Sequence, residues 1–238
     1  ETERWHLIEQ LFGEPAAKSG SLSTQREAGA DSCHLAAKPK TANVVPAPVS
    51  AQAPRQNFKQ LYGNYVRGLA AAAAKNPAEA EKYVARMRGQ RKEFGLSRDY
   101  FSPEMVEIME LEISALASAN TGKFSEAVEL LRRATSLEEA LRPPSGPPDM
   151  IKPSHELFGE VLLRAGRQVE AAAQFKTALL RQPNRPRSLL GLARAIKSSD
   201  TKLAAQAYAD YLRTQERADA RAAELAEARD YLKQVNAR

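Results

Sequence analysis

Three histidines, one cysteine and a set of evenly spaced carboxylates are the side chains of this chain that could do chemistry. Cys33 and His34 are adjacent and are the residue types of a nucleophile and its base. No orienting partner stands near them, and they fall in a Gly/Ser/Pro-bearing stretch, so no nucleophile is expected there. His155 falls on a patterned helix face, where an imidazole is expected to pack rather than to ligate or act as a base. Glu104, Glu107 and Glu110 recur every third residue along one helix face. Such carboxylates could exchange protons with a substrate. The basic cluster of Lys82, Arg86 and Arg88–Lys92 on the preceding helix makes ion pairing, or simple hydration, the expected use. No phosphate-cradling glycine loop, metal-binding helix or serine elbow occurs. The chain is expected to be no enzyme and to hold no metal or cofactor.

The elements behind these residues are helices. Residues 3–12, ERWHLIEQLF, set Trp5, Ile8, Leu11 and Phe12 at helical spacing, and Gly13 and Pro15 end the pattern. Residues 13–56 carry Gly, Ser and Pro without a sustained period and read as a flexible linker. The short helix before it is either a docking element or the tail of an upstream unit. From Asn57 the patterning predicts helices over 57–75, 77–94, 103–120, 123–141, 154–165, 168–181, 187–198, 201–215 and 223–235. The breaks are chemical. Asn76-Pro77 and Ser102-Pro103 place a cap and a first-turn proline, Gly95 ends a helix, and four prolines between Arg142 and Pro148 exclude one. An all-α fold follows, with residues 57–238 as its domain.

The 238 residues suffice for one or two domains with a real core. A single cysteine excludes an internal disulfide. No apolar run approaches the ~20 residues of a membrane helix and no secretory signal is evident, so no membrane insertion and a cytoplasmic setting are expected. The first residue is Glu rather than Met, which leads us to expect a processed product or a fragment. The net charge of +6 lies entirely in residues 152–238, which hold sixteen basic and ten acidic side chains. Nucleic acid could use such an excess. Its aromatics, Phe158, Phe175, Tyr208, Tyr211 and Tyr231, sit mostly at packing spacing rather than interleaved with the charges, so a solvated basic surface is the expectation.

Helix–short turn–helix recurs along the chain. Gly159, Gly166, Ala171, Phe175, Ala178 and Pro183 follow one another at offsets of 7, 5, 4, 3 and 5. This resembles the tetratricopeptide repeat (TPR), a helical hairpin of 34 residues. All six residues match the types of the family pattern, with Phe158 and Leu162 at its large positions. A second hairpin shows Ala115, Gly122, Ala127, Leu131 and Ala134 in the same register. A first has Gly68, Ala71, Ala80, Val84 and Met87, with Lys75 in place of the turn glycine. A fourth, with Leu189, Leu192, Ala193 and Ile196, is one residue short before Ala204 and Tyr208. The resemblance covers roughly residues 58–215. It implies a right-handed superhelix of about four hairpins plus a C-terminal capping helix. The small residues would mark places where helices cross closely.

The same resemblance implies a concave groove along the first helix of each hairpin. Carried over residue by residue, its lining would be Tyr62, Tyr65 and Leu69, then Met109, Glu112 and Leu116, then Glu156, Glu160 and Leu163, then Arg187, Leu190, Arg194 and Lys197. The groove would run from aromatic through acidic to basic. The charged clamp by which some members of the family hold chaperone tails is not reproduced, since Glu156 stands where Lys would be required. The expected function is a scaffold binding a peptide or partner protein. The alternatives are an accessory module of a larger enzyme or regulator, and nucleic-acid binding through the basic third.

Overall fold

The computed structural model describes residues 53–94, 102–141, 151–216 and 222–237. Among them the chain is all-helical: α1 Ala53–Ala73, α2 Pro77–Phe94, α3 Pro103–Asn120, α4 Phe124–Ala140, α5 Ser154–Arg164, α6 Gln168–Arg181, α7 Pro186–Ile196, α8 Thr201–Thr214 and α9 Ala222–Asn236. The helix expected over 3–12, most of the linker, Cys33, His34, Gly95 and the proline run of 142–148 lie outside the described residues. The linker stops short of residue 56, because α1 begins at Ala53. Pro54 then falls in its first turn, where a missing N–H and a fixed φ are tolerated.

Caps set the starts. Ser102 Oγ accepts from Met105 N at 3.3 Å with Pro103 behind it, Asn76 Oδ1 from Glu79 N at 3.1 Å, and Asp200 Oδ1 from Leu203 N at 2.9 Å. One turn closes the first three hairpins. Lys75, Gly122 and Gly166 take left-handed backbone with φ of 59°, 84° and 75°. The next residue's N–H donates in each case to the carbonyl five back: Asn76 to Ala71, Lys123 to Ser118, Arg167 to Leu162, each at 2.9 Å. The fourth turn has no left-handed residue. Asp200 N there reaches Ile196 O only four back, which is why that hairpin is one residue shorter.

Each helix packs on the next in chain order, and α1, α3, α5 and α7 also pack on one another in sequence. Two buried apolar clusters result. One joins Leu61, Tyr65, Val84, Met87, Ile113 and their neighbours across α1–α4, and the other runs from Ala115 to Ala228. The matched small residues are inside, with Ala171 and Ala127 fully buried. Gly159 leaves room for a side chain of the neighbouring helix. A methyl built on it would lie 2.7 Å from Phe175 Cζ, and one on Gly191 of α7 would overlap the same ring. The two glycines hold a phenyl ring between α5 and α7.

Candidate functional site

The first helices of the hairpins leave a cleft of ≈ 640 Å³ between the end of α1, α3, α5, α7 and α9. Its apolar part comes from Leu69, Leu116, Leu157, Val161, Leu163 and Leu190, with the edge of Phe175 above Gly191. Leu116 and Leu163 are half-buried and open to it, whereas Leu69, Leu157 and Leu190 are almost wholly covered. Lys75, Lys152, Arg164, Arg187, Arg194 and Lys197 stand around it against Glu160, Glu224 and Glu227.

The charges divide into two sets. Lys152 Nζ donates to Glu160 Oε1 at 2.7 Å, and Arg187 reaches the same oxygen at 3.4 Å. Arg194 grips Glu227 with Nε and Nη2, at 3.0 and 2.6 Å, and Tyr208 Oη donates to Glu227 at 2.8 Å. The hydrogen bond from Arg194 holds the Glu227 carboxyl below the usual range, against the opposing pull of burial. Burial, and the hydrogen bond that Tyr208 donates to Glu227, raise the Tyr208 phenol. Among the described residues, Lys75, Arg164 and Lys197 have no carboxylate at salt-bridge distance. Arg164 instead donates to Ala119 O at 3.2 Å and lies over the Phe124 ring. The net cleft is basic.

Beneath it lies a buried polar layer. Tyr65 Oη and Ser154 Oγ both donate to the Glu112 carboxylate, the latter at 2.8 Å, and Ser154 N donates to Glu138 at 2.7 Å. Glu156 accepts from Ser188 Oγ and Arg185 Nε, both at 2.7 Å, with Lys152 Nζ 3.2 Å away. The two carboxylates diverge because their surroundings do. Burial raises the Glu112 carboxyl to about 8, since its two hydroxyl donors do not offset the lost water. Burial also pushes Glu156 upward, but the charges of Lys152 and Arg185 and the two hydrogen bonds outweigh it and bring it to about 2. Burial works against the Lys152 ammonium, and Glu160 and Glu156 more than compensate.

Of the thirteen groove residues expected from sequence, Leu69, Leu116, Glu160, Leu163, Arg187, Leu190, Arg194 and Lys197 line this cleft. Tyr62, Tyr65, Met109, Glu112 and Glu156 do not. They are buried, four of them with no exposed surface. The groove therefore has no aromatic end and no acidic middle: the tyrosines face the core, Glu112 is enclosed with Tyr65 and Ser154, and Glu156 and Glu160 are paired with Lys152, Arg185 and Arg187. Lys152, Asn120, Arg164, Glu224 and Glu227 line it without having been singled out in the sequence. Lys152 sits between four prolines and a helix start, a place where only the fold reveals a partner.

Elsewhere, Glu107 and Glu110 face Arg91 at 2.5 and 3.3 Å, and Arg133 also binds Glu107, while Glu104 is exposed and held below the usual carboxylate range by the Ser102 hydroxyl. His155 is buried, with Nδ1 2.8 Å from Gln174 Oε1 and Nε2 3.3 Å from Glu139. Among the described residues there is no cluster of metal-ligand type, and no helix is long and apolar enough to cross a membrane. No family model, curated protein or solved structure matches the chain.

Proposed function

We propose that this protein is a non-catalytic scaffold of the TPR-like kind. Its hairpins would wind as a right-handed superhelix and hold a segment of a partner protein in the cleft over their first helices. The observation that carries this reading is the make-up of the cleft. Half-buried leucines are open to solvent on its floor, and Lys75, Arg164 and Lys197 stand on its rim with no carboxylate within salt-bridge distance. An apolar floor with a charged rim is what an amphipathic segment needs, since its buried face supplies affinity and its charges fix direction. Stacking of hairpins in chain order and the shared turn at Lys75, Gly122 and Gly166 support the repeat architecture. The buried network of Glu112 and Glu156 is then the frame that holds the first helices in register, not a proton-transfer device.

Selection of binders from a displayed library of random peptides, on the full chain, tests the reading. Selected peptides are expected to compete with one another and to lose at least tenfold in affinity on Leu116→Arg and on Leu163→Arg. Binders indifferent to both substitutions would place recognition elsewhere, and failure to select any would count against a scaffold.

A further inference from the structure

The cleft is apolar with a basic rim, and the chain carries a segment of the opposite character. Residues 1–14, ETERWHLIEQLFGE, hold four carboxylates against one arginine, and the spacing of Trp5, Ile8, Leu11 and Phe12 predicts one apolar helical face. We infer that this segment docks in the cleft of its own chain, with Trp5 and its neighbours over Leu116 and Leu163 and its carboxylates toward Lys75, Arg164 and Lys197. The inference rests on the cleft being a docking surface, and it gives that surface a partner class: an acidic, aromatic-bearing amphipathic helix.

Three magnitudes agree with it. The first is reach. The forty residues 13–52 separate the segment from Ala53; read from composition as a flexible linker, a chain of that length would span about 35 Å r.m.s.. Sixteen residues of α1 carry the path from Ala53 to Leu69 at the cleft, about 24 Å at 1.5 Å per residue. Docking within one chain needs no stretching. The second is size. A ten-residue helix is about 15 Å long and 10 Å across, which exceeds the ≈ 640 Å³ of the cleft, so one face enters and the acidic face stays outside at the rim. The third is concentration. A tether of this length holds the segment at roughly millimolar effective concentration, so a contact too weak to survive between separate molecules is populated within one. A foreign partner would then have to displace the segment, and would bind more weakly to the full chain than to a chain with the segment released.

Trp5 is the sole tryptophan and reports on the contact directly. In the full chain its emission is expected to be blue-shifted, and iodide quenching severalfold weaker than in a synthetic peptide of residues 1–14. Lys75→Glu combined with Lys197→Glu should restore peptide-like quenching with unchanged helical circular dichroism. Glu3→Lys combined with Glu9→Lys, which cannot unfold the helical domain, should do the same. Trp5 as accessible in the chain as in the peptide overturns the inference, as does shielding that survives both charge pairs. Shielding that grows with protein concentration overturns it in favour of a second copy. Exposed Trp5 alongside library peptides that still bind the cleft removes the internal occupant and leaves the scaffold reading; exposed Trp5 with no peptide binding removes both.

Discussion

Phe175 fills space that two glycines leave, Gly159 from α5 and Gly191 from α7. Neither glycine needs its backbone freedom; each lacks a side chain so that a ring can lie against its helix. Gly191→Ala is expected to cost about 1–3 kcal/mol by overpacking. Combined with Phe175→Leu, which shortens the group it strikes, it should cost clearly less than the sum of the two single changes. Urea midpoints of the four proteins measure the coupling, and additivity within about 0.5 kcal/mol would show that the contact is not the cause. Lys75 presents the opposite case, since there a side chain is present and the backbone is under constraint at φ 59°. Its two counterparts are glycines, so Lys75→Gly should stabilise the chain by about 1 kcal/mol, seen as a higher urea midpoint with unchanged slope. The sequence already marked this position, as a lysine standing where the turn glycine belongs.

Helices were the most legible level, because their signals are local. Asn76-Pro77, Ser102-Pro103 and the turn glycines Gly122 and Gly166 act over three or four residues, and the observed bounds lie within a few residues of those expected. Faces were less legible. Glu112 and Glu156 are charged and fall on a first-helix face, so they read as groove surface. They are instead enclosed by neighbours far off in the chain: Tyr65 stands 47 residues from Glu112, Ser154 stands 42 from it, and Arg185 stands 29 from Glu156. Hydropathy places a carboxylate in water unless its partners are known, and these partners are brought in by the stacking of α1, α3, α5 and α7. The last element, α9, follows the same logic at the chain's end. It is joined to the rest by Ala228, by the stack of Tyr231 on Tyr208 with ring centroids 4.8 Å apart, and by Glu227. Glu227→Ala leaves Arg194 and the Tyr208 hydroxyl without their acceptor. It is expected to cost about 1–2 kcal/mol, discounted for partial exposure, and to free α9 before the remainder. Hydrogen exchange should then rise in residues 222–236 while α3 and α5 keep their protection. A uniform rise would mean that α9 is integral to one cooperative unit.

At the scale of the whole molecule, two buried carboxylates in adjoining layers oppose one another in their response to pH. Glu112 titrates near 8 in the fold against an ordinary 4.5. Between those values the native state binds a proton that the unfolded chain does not, so its contribution is complete below 4.5 and is lost as pH rises through 8. Glu156 titrates near 2. Between 2 and 4.5 the unfolded chain binds the extra proton, so its contribution is complete above 4.5 and is lost as pH falls. The two contributions meet only near pH 4.5, their shared ordinary value, and Glu227, with its lowered carboxyl, adds to the acid side of that balance. Stability is therefore expected to peak at mildly acidic pH and to fall by on the order of 4 kcal/mol toward pH 9. Glu112→Gln separates the two limbs. The amide mimics the protonated acid between Tyr65 and Ser154, so the alkaline decline should vanish while the acid limb set by Glu156 remains. Urea unfolding of both proteins across pH 3–9 measures this. A wild-type curve that holds or rises from pH 5 to 9 would mean that Glu112 stays ionised in the fold, its two hydroxyl donors and Lys152 outweighing its burial.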